Sequence, residues 1–361
     1  MKTLLLSLIL FGFLNSAYAH HSFGYHFDVD AEVTIAGIVK EFKFINPHAQ
    51  VLVDVTAEDG QVETWVCEFR GANGLARTGW REDTFRPGQA IEITGFAARR
   101  REAECYFETA IMADGTRISQ DAPLGDDLYA ASATAVSYTS AADGDIPNFA
   151  GVWGEAGRAA SGTGAAGMGA GMAAGMGMGR GPTLGGPNRF EYVLSAAGQR
   201  ALEAYDPIVD DPSIHCKPPS LTRLWGTGNP TEITQEDGLF TIHHEWLDVE
   251  RKVYLGLSEH PEGTTDRVMG HSIGWYEGST LVIDTVAYEP SVLFQFPGLP
   301  TSNQLHTVER LTLSEDGRNF EISWTAEDSE YFTEQLSGNS RPLQRLNTTL
   351  RPYNCTPMEV A

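Results

Sequence analysis

Short runs in which every second residue is apolar recur along this sequence, separated by glycine-centred turns, and that pattern admits little but antiparallel β-sheet. The densest stretch begins at Thr231. Runs at 231–235, 239–247, 251–257, 270–277, 280–288, 305–313 and 319–327 are broken by Glu236-Asp237-Gly238, Glu277-Gly278 and Asp316-Gly317. Consecutive strands at this spacing predict an antiparallel meander that closes into a barrel or a strongly curved sheet.

The same periodicity marks residues 32–118. Val33 and Ile35 alternate, then Val51, Val53 and Val55, then Val62, Thr64 and Val66. Ile91 with Ile93, and Phe107 with Thr109 and Ile111, complete the set, and Glu58-Asp59-Gly60 is a hairpin turn. A short helix fits between the third and fourth runs, within Gly71–Trp80. Three strands, a helix and two strands is the order of a five-stranded OB-like barrel. The expected fold class is therefore mainly β: an OB-like barrel over 20–120 and a larger β-barrel or meander with a short helix over 149–361. That helix lies in Glu191–Tyr205, or is shorter and capped by Ser195.

Between the two lies 121–148, rich in Ala, Asp and Ser and without periodicity, expected to be a linker. Residues 158–188 are mostly Gly, Ala and Met, and such a segment cannot offset the entropy of packing, so disorder is expected there.

The N-terminus reads as a secretory leader. Lys2 precedes an apolar run from Leu4 to Leu14, and Ala17-Tyr18-Ala19 is a small-x-small cleavage site, so residues 1–19 are expected to be removed. A buried N-terminal helix is the competing reading. The expected location is periplasmic or secreted, with no membrane span later in the chain. In that oxidising setting four cysteines favour disulfides, and five-stranded OB topology makes the third and fifth strands neighbours. Cys67–Cys105 and Cys216–Cys355 are the expected pairs. Zinc is the alternative, but no pair has close zinc-ligand spacing. The balance of 25 basic against 48 acidic residues, net −23, repels nucleic acid and anionic membranes.

Several segments resemble families of uncharacterised exported bacterial proteins. His20-His21-Ser22-Phe23, Asn46-Pro47-His48 and the stretch from Gly79-Trp80 to Pro87-Gly88 resemble one family. Asp206-Pro207 through Cys216, Gly270-His271-Ser272-Ile273-Gly274-Trp275 and Glu277 through Val282, with Glu327-Asp328, resemble a second. Where that second pattern has Trp-Glu-Gly-Asp, this chain has Tyr276 and Ser279. Gly151-x-Trp153 resembles the first strand of lipocalin- and avidin-like (calycin-like) barrels. These resemblances imply the two-module split and export, and no activity.

Two chemistries compete. A small, partly apolar ligand is expected in a polar-lined pocket of the C-terminal module. Phe240, Ile242, His244 and Trp246 share a face, Asp284 sits between Val282 and Val286, and Glu309 between Leu305 and Leu311. Ionisable groups on core-facing positions are costly unless paired or functional. His271, Trp275, Arg251 and His306 join this set, with Trp225, Trp246, Trp275 and Trp324 as aromatic walls. A buried His–Asp pair is also an ordinary structural hydrogen bond.

The alternative is a copper protein or mononuclear copper oxidase. Leader removal would make His20 the first residue, offering its α-amine and imidazole to one metal, with His21, His26 or His48 as further ligands. Met168, Met172, Met176 and Met178 are soft donors suited to monovalent copper. A third reading is a non-enzymatic module whose acidic face docks on an envelope partner. His-Glu-x-x-His and Cys-x-x-Cys-His motifs are absent from the sequence.

Overall fold

A computed structural model describes residues 26–120, 122–124, 146–155, 193–206, 209–219, 221–265, 267–294, 298–340 and 342–358. The expected leader, His20, His21, most of the expected linker, and the Gly/Ala/Met segment with Met168, Met172, Met176 and Met178 lie outside them.

The N-terminal sheet contains β1 (Phe27–Lys43), β2 (Gln50–Thr56), β3 (Val62–Glu68), β4 (Ala90–Ala98), β5 (Glu104–Met112) and β6 (Arg117–Ser119), with α1 (Ala72–Arg77) between β3 and β4. Its order β3-β2-β1-β4-β5-β6, with β3 also pairing β5, closes five strands into an OB-like barrel. The β3–β5 contact is parallel and sets Cys67 directly against Cys105, which are disulfide-bonded. Inward-facing Val51, Val53, Ile91 and Ile93 meet Phe69, Trp80, Phe85 and Phe107 in one buried cluster, with Phe69 stacked on Phe107. The runs of β2 and β4 thus place their apolar sets inside, whereas on β3 Trp65 and Cys67 face inward in place of Val62, Thr64 and Val66, and Ile111 of β5 is exposed.

The C-terminal sheet is built from β7 (Gly151–Glu155), β8 (Thr231–Glu236), β9 (Leu239–His244), β10 (Val249–Tyr254), β11 (His271–Glu277), β12 (Thr280–Val286), β15 (Leu305–Leu313), β16 (Asn319–Asp328), β17 (Leu336–Asn339) and β18 (Leu343–Leu346). A hairpin of β13 (Ser291–Phe294) and β14 (Leu299–Thr301) stands apart. The order β15-β12-β11-β10-β9-β8-β7-β18-β16, closed by β15–β16, makes a nine-stranded barrel from which β17 extends. The expected helix is the shorter one, α2 (Ala196–Ala204), with Ser195 Oγ accepting from Gly198 N at its N-cap. α3 (Leu221–Leu224) precedes Trp225, and Cys216 is bonded to Cys355.

One joint departs from an antiparallel meander. β10 and β11 are parallel, and their register holds only Val253↔Ser272 and Tyr254↔Ile273, against six pairs between β9 and β10 and seven between β11 and β12. Parallel neighbours need a crossover connection. Residues 255–270 supply it, passing over the outer face of the barrel.

The two barrels meet through buried polar groups. Glu245, fully buried, is bidentate to Arg77 of α1, accepts from Asn73 Nδ2 at 3.2 Å and from Arg351 N at 2.8 Å. Asn46, beside the cis bond to Pro47, donates to the Tyr353 carbonyl at 2.5 Å. A carboxylate buried in one barrel is therefore neutralised by a guanidinium of the other, which ties their positions together.

Candidate functional site

The residues expected in one pocket of the C-terminal barrel divide between its two faces. His244, Arg251 and Glu309 point inward. Arg251 donates through Nε to Ser272 Oγ at 3.0 Å and through Nη2 to Thr285 Oγ1 at 2.7 Å, and it is ion-paired with Glu309, both side chains being 1% exposed. Trp225 Nε1 also donates to Glu309, at 2.6 Å. His244 Nδ1 lies 2.9 Å from Thr231 Oγ1, and its Nε2 has no partner among the described residues. Burial, then the nearby Arg251 charge, pushes the His244 imidazole down to about 3, so it is neutral at any physiological pH. Below this polar layer Phe149, Trp153, Phe240, Ile283, Leu311 and Phe320 fill the barrel. Arg251 and Glu309 neutralise each other, His244 is bonded only through Nδ1 among the described residues, and the interior is occupied by its own side chains.

Asp284 does not face the interior. On β12 the inward residues are Leu281, Ile283 and Thr285, so Asp284 emerges on the outer face and is half-buried there. The alternation misleads because Val282 is 1% exposed on that same outer side. A strand covered on both faces reads as a continuous apolar run and loses its parity signal. The four tryptophans separate likewise. Trp225 is inside the barrel, Trp246 packs with Leu221, Leu224 and Tyr353, Trp324 lies in a cluster with Leu194 and Phe332, and Trp275 is 42% exposed. They do not wall one pocket.

On the outer face the structure gathers His271, Asp284 and His306, and adds His260 from the crossover. His260 Nε2 is 2.8 Å from Asp284 Oδ1, His306 Nε2 is 2.9 Å from Asp284 Oδ2, and His260 Nδ1 is 2.8 Å from His271 Nδ1. The four groups form a chain, His271–His260–Asp284–His306. Burial alone would raise the Asp284 carboxyl, but hydrogen bonds from His306 and His260 outweigh it and hold it below the usual range. The bond to Asp284 raises His306 above the usual imidazole range. Desolvation, with His260 and Arg267 nearby, lowers His271. His260 uses its two nitrogens in different directions, so the chain is linear. Consistently, no group of three metal-ligating side chains converges among the described residues.

Gly270 sets the position of His271. Its φ is +64°, and a Cβ there would sit 2.6 Å from the Val286 carbonyl oxygen. The turn delivers His271 under Tyr254, whose ring stacks on it at 5.2 Å and 15°. Beside this stack a cleft of about 300 Å³ opens at the β10–β11 joint. Lys252, Tyr254, Arg267, Val268, Met269 and His271 line it, with Glu250 at its rim. Lys252 is ion-paired to Glu250 at 3.3 Å, whereas the Arg267 guanidinium has no carboxylate partner among the described residues. A second cleft of about 490 Å³, with Leu255, Leu257 and Trp275 in its wall, lies on the other side of the crossover.

In the N-terminal barrel, His48 Nδ1 is 2.9 Å from both Glu68 Oε1 and the Phe69 carbonyl. Burial opposes its charge, but Glu68 and these bonds raise its imidazole above the usual range. His26, the first described residue, is lowered by burial and lies within the field of Glu68, His48 and Asp211. Of the copper candidates, His48 contacts the Glu68 carboxylate, and His26 feels its charge. His20 and His21 are outside the described residues.

Sequence reasoning missed His260, Arg267, Asn73, Arg77 and Glu245. His260 and Arg267 lie in a polar crossover without periodicity, and the interface residues contact partners more than 160 positions away. Local pattern carries no signal for either.

Comparison with known proteins reaches the N-terminal barrel only. A model described as a family of unknown function (DUF6152) matches residues 9–106, ending within β5. No curated protein and no solved structure matches the chain.

Proposed function

We propose that the C-terminal barrel binds a small organic anion with an apolar body, in the cleft at the β10–β11 joint on its outer wall. One observation carries this reading. In a chain of net charge −23, Arg267 lines the cleft with no carboxylate ion-paired to it among the described residues, beside the imidazole of His271, while the cleft's Glu250 is paired with Lys252. Tyr254, Val268 and Met269 supply the apolar wall that such a ligand's body needs. The filled interior argues against the lumen as the site. His271 can share a proton with an acidic ligand, and the chain behind it can resupply one. Export of the mature protein belongs to the same proposal, supported by the leader-like N-terminus and two disulfides.

Calorimetric titration of the full chain with benzoate tests it, comparing wild type with Arg267→Gln. Removing a charge-assisted hydrogen bond costs about 1.5–3 kcal/mol, so Kd should rise about 10- to 150-fold. Equal binding by both proteins, or none by wild type, rejects the cleft.

A second reading is supported by the His48–Glu68 contact, with the charge of Glu68 also felt at His26. His20 lies six positions before His26, a span of at most about 20 Å, so a cleaved N-terminal His20 is a candidate copper ligand together with His48. Copper titration of protein with a native, processed N-terminus tests this. Absence of a His48→Ala-sensitive binding step removes it.

A further inference from the structure

The contact between His260 and His271 has an unusual requirement. Two imidazole nitrogens 2.8 Å apart share one proton: one ring donates and the other accepts. His260 can be neutral or cationic and still keep both its bonds, to His271 and to Asp284. Once both rings are cationic, each Nδ1 carries its own proton and the contact becomes repulsive. The other facing groups do not relieve this. Tyr254 stacks on His271 from β10, Arg267 adds positive charge from the crossover, and Asp284 on β12 is shared between His260 and His306 on β15. Glu327, across the register on β16, faces His306 and not His271.

His260 is also the side chain by which the middle of the crossover is bonded to the barrel wall. The crossover's ends are fixed by backbone: Leu255 N to the Gly238 carbonyl, and Arg267 N to the Ala287 carbonyl. Between them, His260 bonds to His271 and Asp284, over a joint of only two residue pairs. The cleft lies against the far end of the same crossover, at Arg267 to His271.

We propose that the 255–270 crossover is a proton-operated strap over this cleft: the proton that leaves both His260 and His271 cationic breaks their contact and frees the crossover from the wall. No covalent step is involved; the protons that charge the two rings are taken up from solvent. Because His306 is raised and His271 lowered, His271 charges after His306 as pH falls, and release belongs below the ordinary imidazole range. An organic anion beside His271 favours its charged form, so ligand binding and strap release reinforce each other. Only this last coupling rests on the ligand reading above.

Hydrogen exchange followed by mass spectrometry tests the strap on the full chain without ligand, at about pH 7.5 and about pH 5, with intrinsic exchange rates divided out. Protection across 255–265 should fall at least ~10-fold at the lower pH, while the β8–β9 hairpin keeps its protection. His271→Phe retains the ring on Tyr254 but takes no proton, and in it the fall should vanish. His260→Gln should leave the crossover poorly protected at both pH values. Unchanged wild-type protection, an undiminished fall in His271→Phe, or a normal pH response in His260→Gln each overturns the proposal. An intact exchange response combined with no benzoate binding would sink the ligand reading alone.

Discussion

Replacing Arg251 by Met leaves a carboxylate stranded inside the barrel, and the structure fixes both the size and the pH dependence of the damage. Glu309 is 1% exposed, and without Arg251 it keeps only the Trp225 indole as donor. An uncompensated charge at such a depth costs about 3–5 kcal/mol. Glu309 has one escape, which is to take a proton. With an ordinary glutamate value of about 4.3, protonation at pH 7 costs about 3.7 kcal/mol, which caps the electrostatic part. Ser272 and Thr285 lose Arg251 but keep their mutual bond at 2.9 Å, so they add little. In the variant the folded-state value of Glu309 lies above its unfolded one, so the loss is greatest at high pH and shrinks as pH falls. At pH 5 only about 1 kcal/mol should remain. Urea unfolding at the two pH values measures this. Glu309→Gln alone strands a guanidinium that cannot deprotonate, so its cost should show no such pH dependence. Arg251→Met combined with Glu309→Gln should recover most of the stability. A loss in Arg251→Met that is equal at both pH values, or below about 1 kcal/mol at pH 7, refutes a buried, mutually neutralised pair.

Other outcomes follow from the same geometry. Arg77→Met should destabilise by about 3–5 kcal/mol through unpaired Glu245, and should split one urea transition into two as the barrels lose their tie. The Cys216–Cys355 bridge spans 139 residues and the Cys67–Cys105 bridge 38, so chain entropy assigns their removal costs of about 5 and about 4 kcal/mol. Serine variants in thermal unfolding check that order, and a larger loss at Cys67–Cys105 contradicts it. The His48–Glu68 pair raises the imidazole, so its contribution is fully present below about pH 6.5 and lost as pH rises through the folded value. Glu68→Gln should lower the His48 midpoint followed by NMR; an unmoved midpoint contradicts the pairing.

Most of the architecture was legible because a half-buried strand writes its burial into every second residue. All seven runs after Thr231 became strands with nearly the expected bounds, and the OB-like order placed Cys67 against Cys105. The site was legible only in fragments. Glu309 and His244 could be assigned inward because their strands are solvated outside. Asp284 could not, because Val282 and Ile273 are buried on the same outer side and blur the alternation of β11 and β12. His260 and Arg267 owe their roles to a crossover forced by one parallel pair, and no local pattern in the sequence announces that pair.

The central claim is that a small organic anion occupies the outer wall of the C-terminal barrel and not its lumen. A crystal of the full chain soaked with 4-bromobenzoate locates the bromine by anomalous scattering. The account predicts a peak in the β10–β11 cleft against Tyr254 and Met269, with the carboxylate toward Arg267 and His271. A peak inside the barrel beside His244, or none in the cleft at saturating ligand, contradicts it.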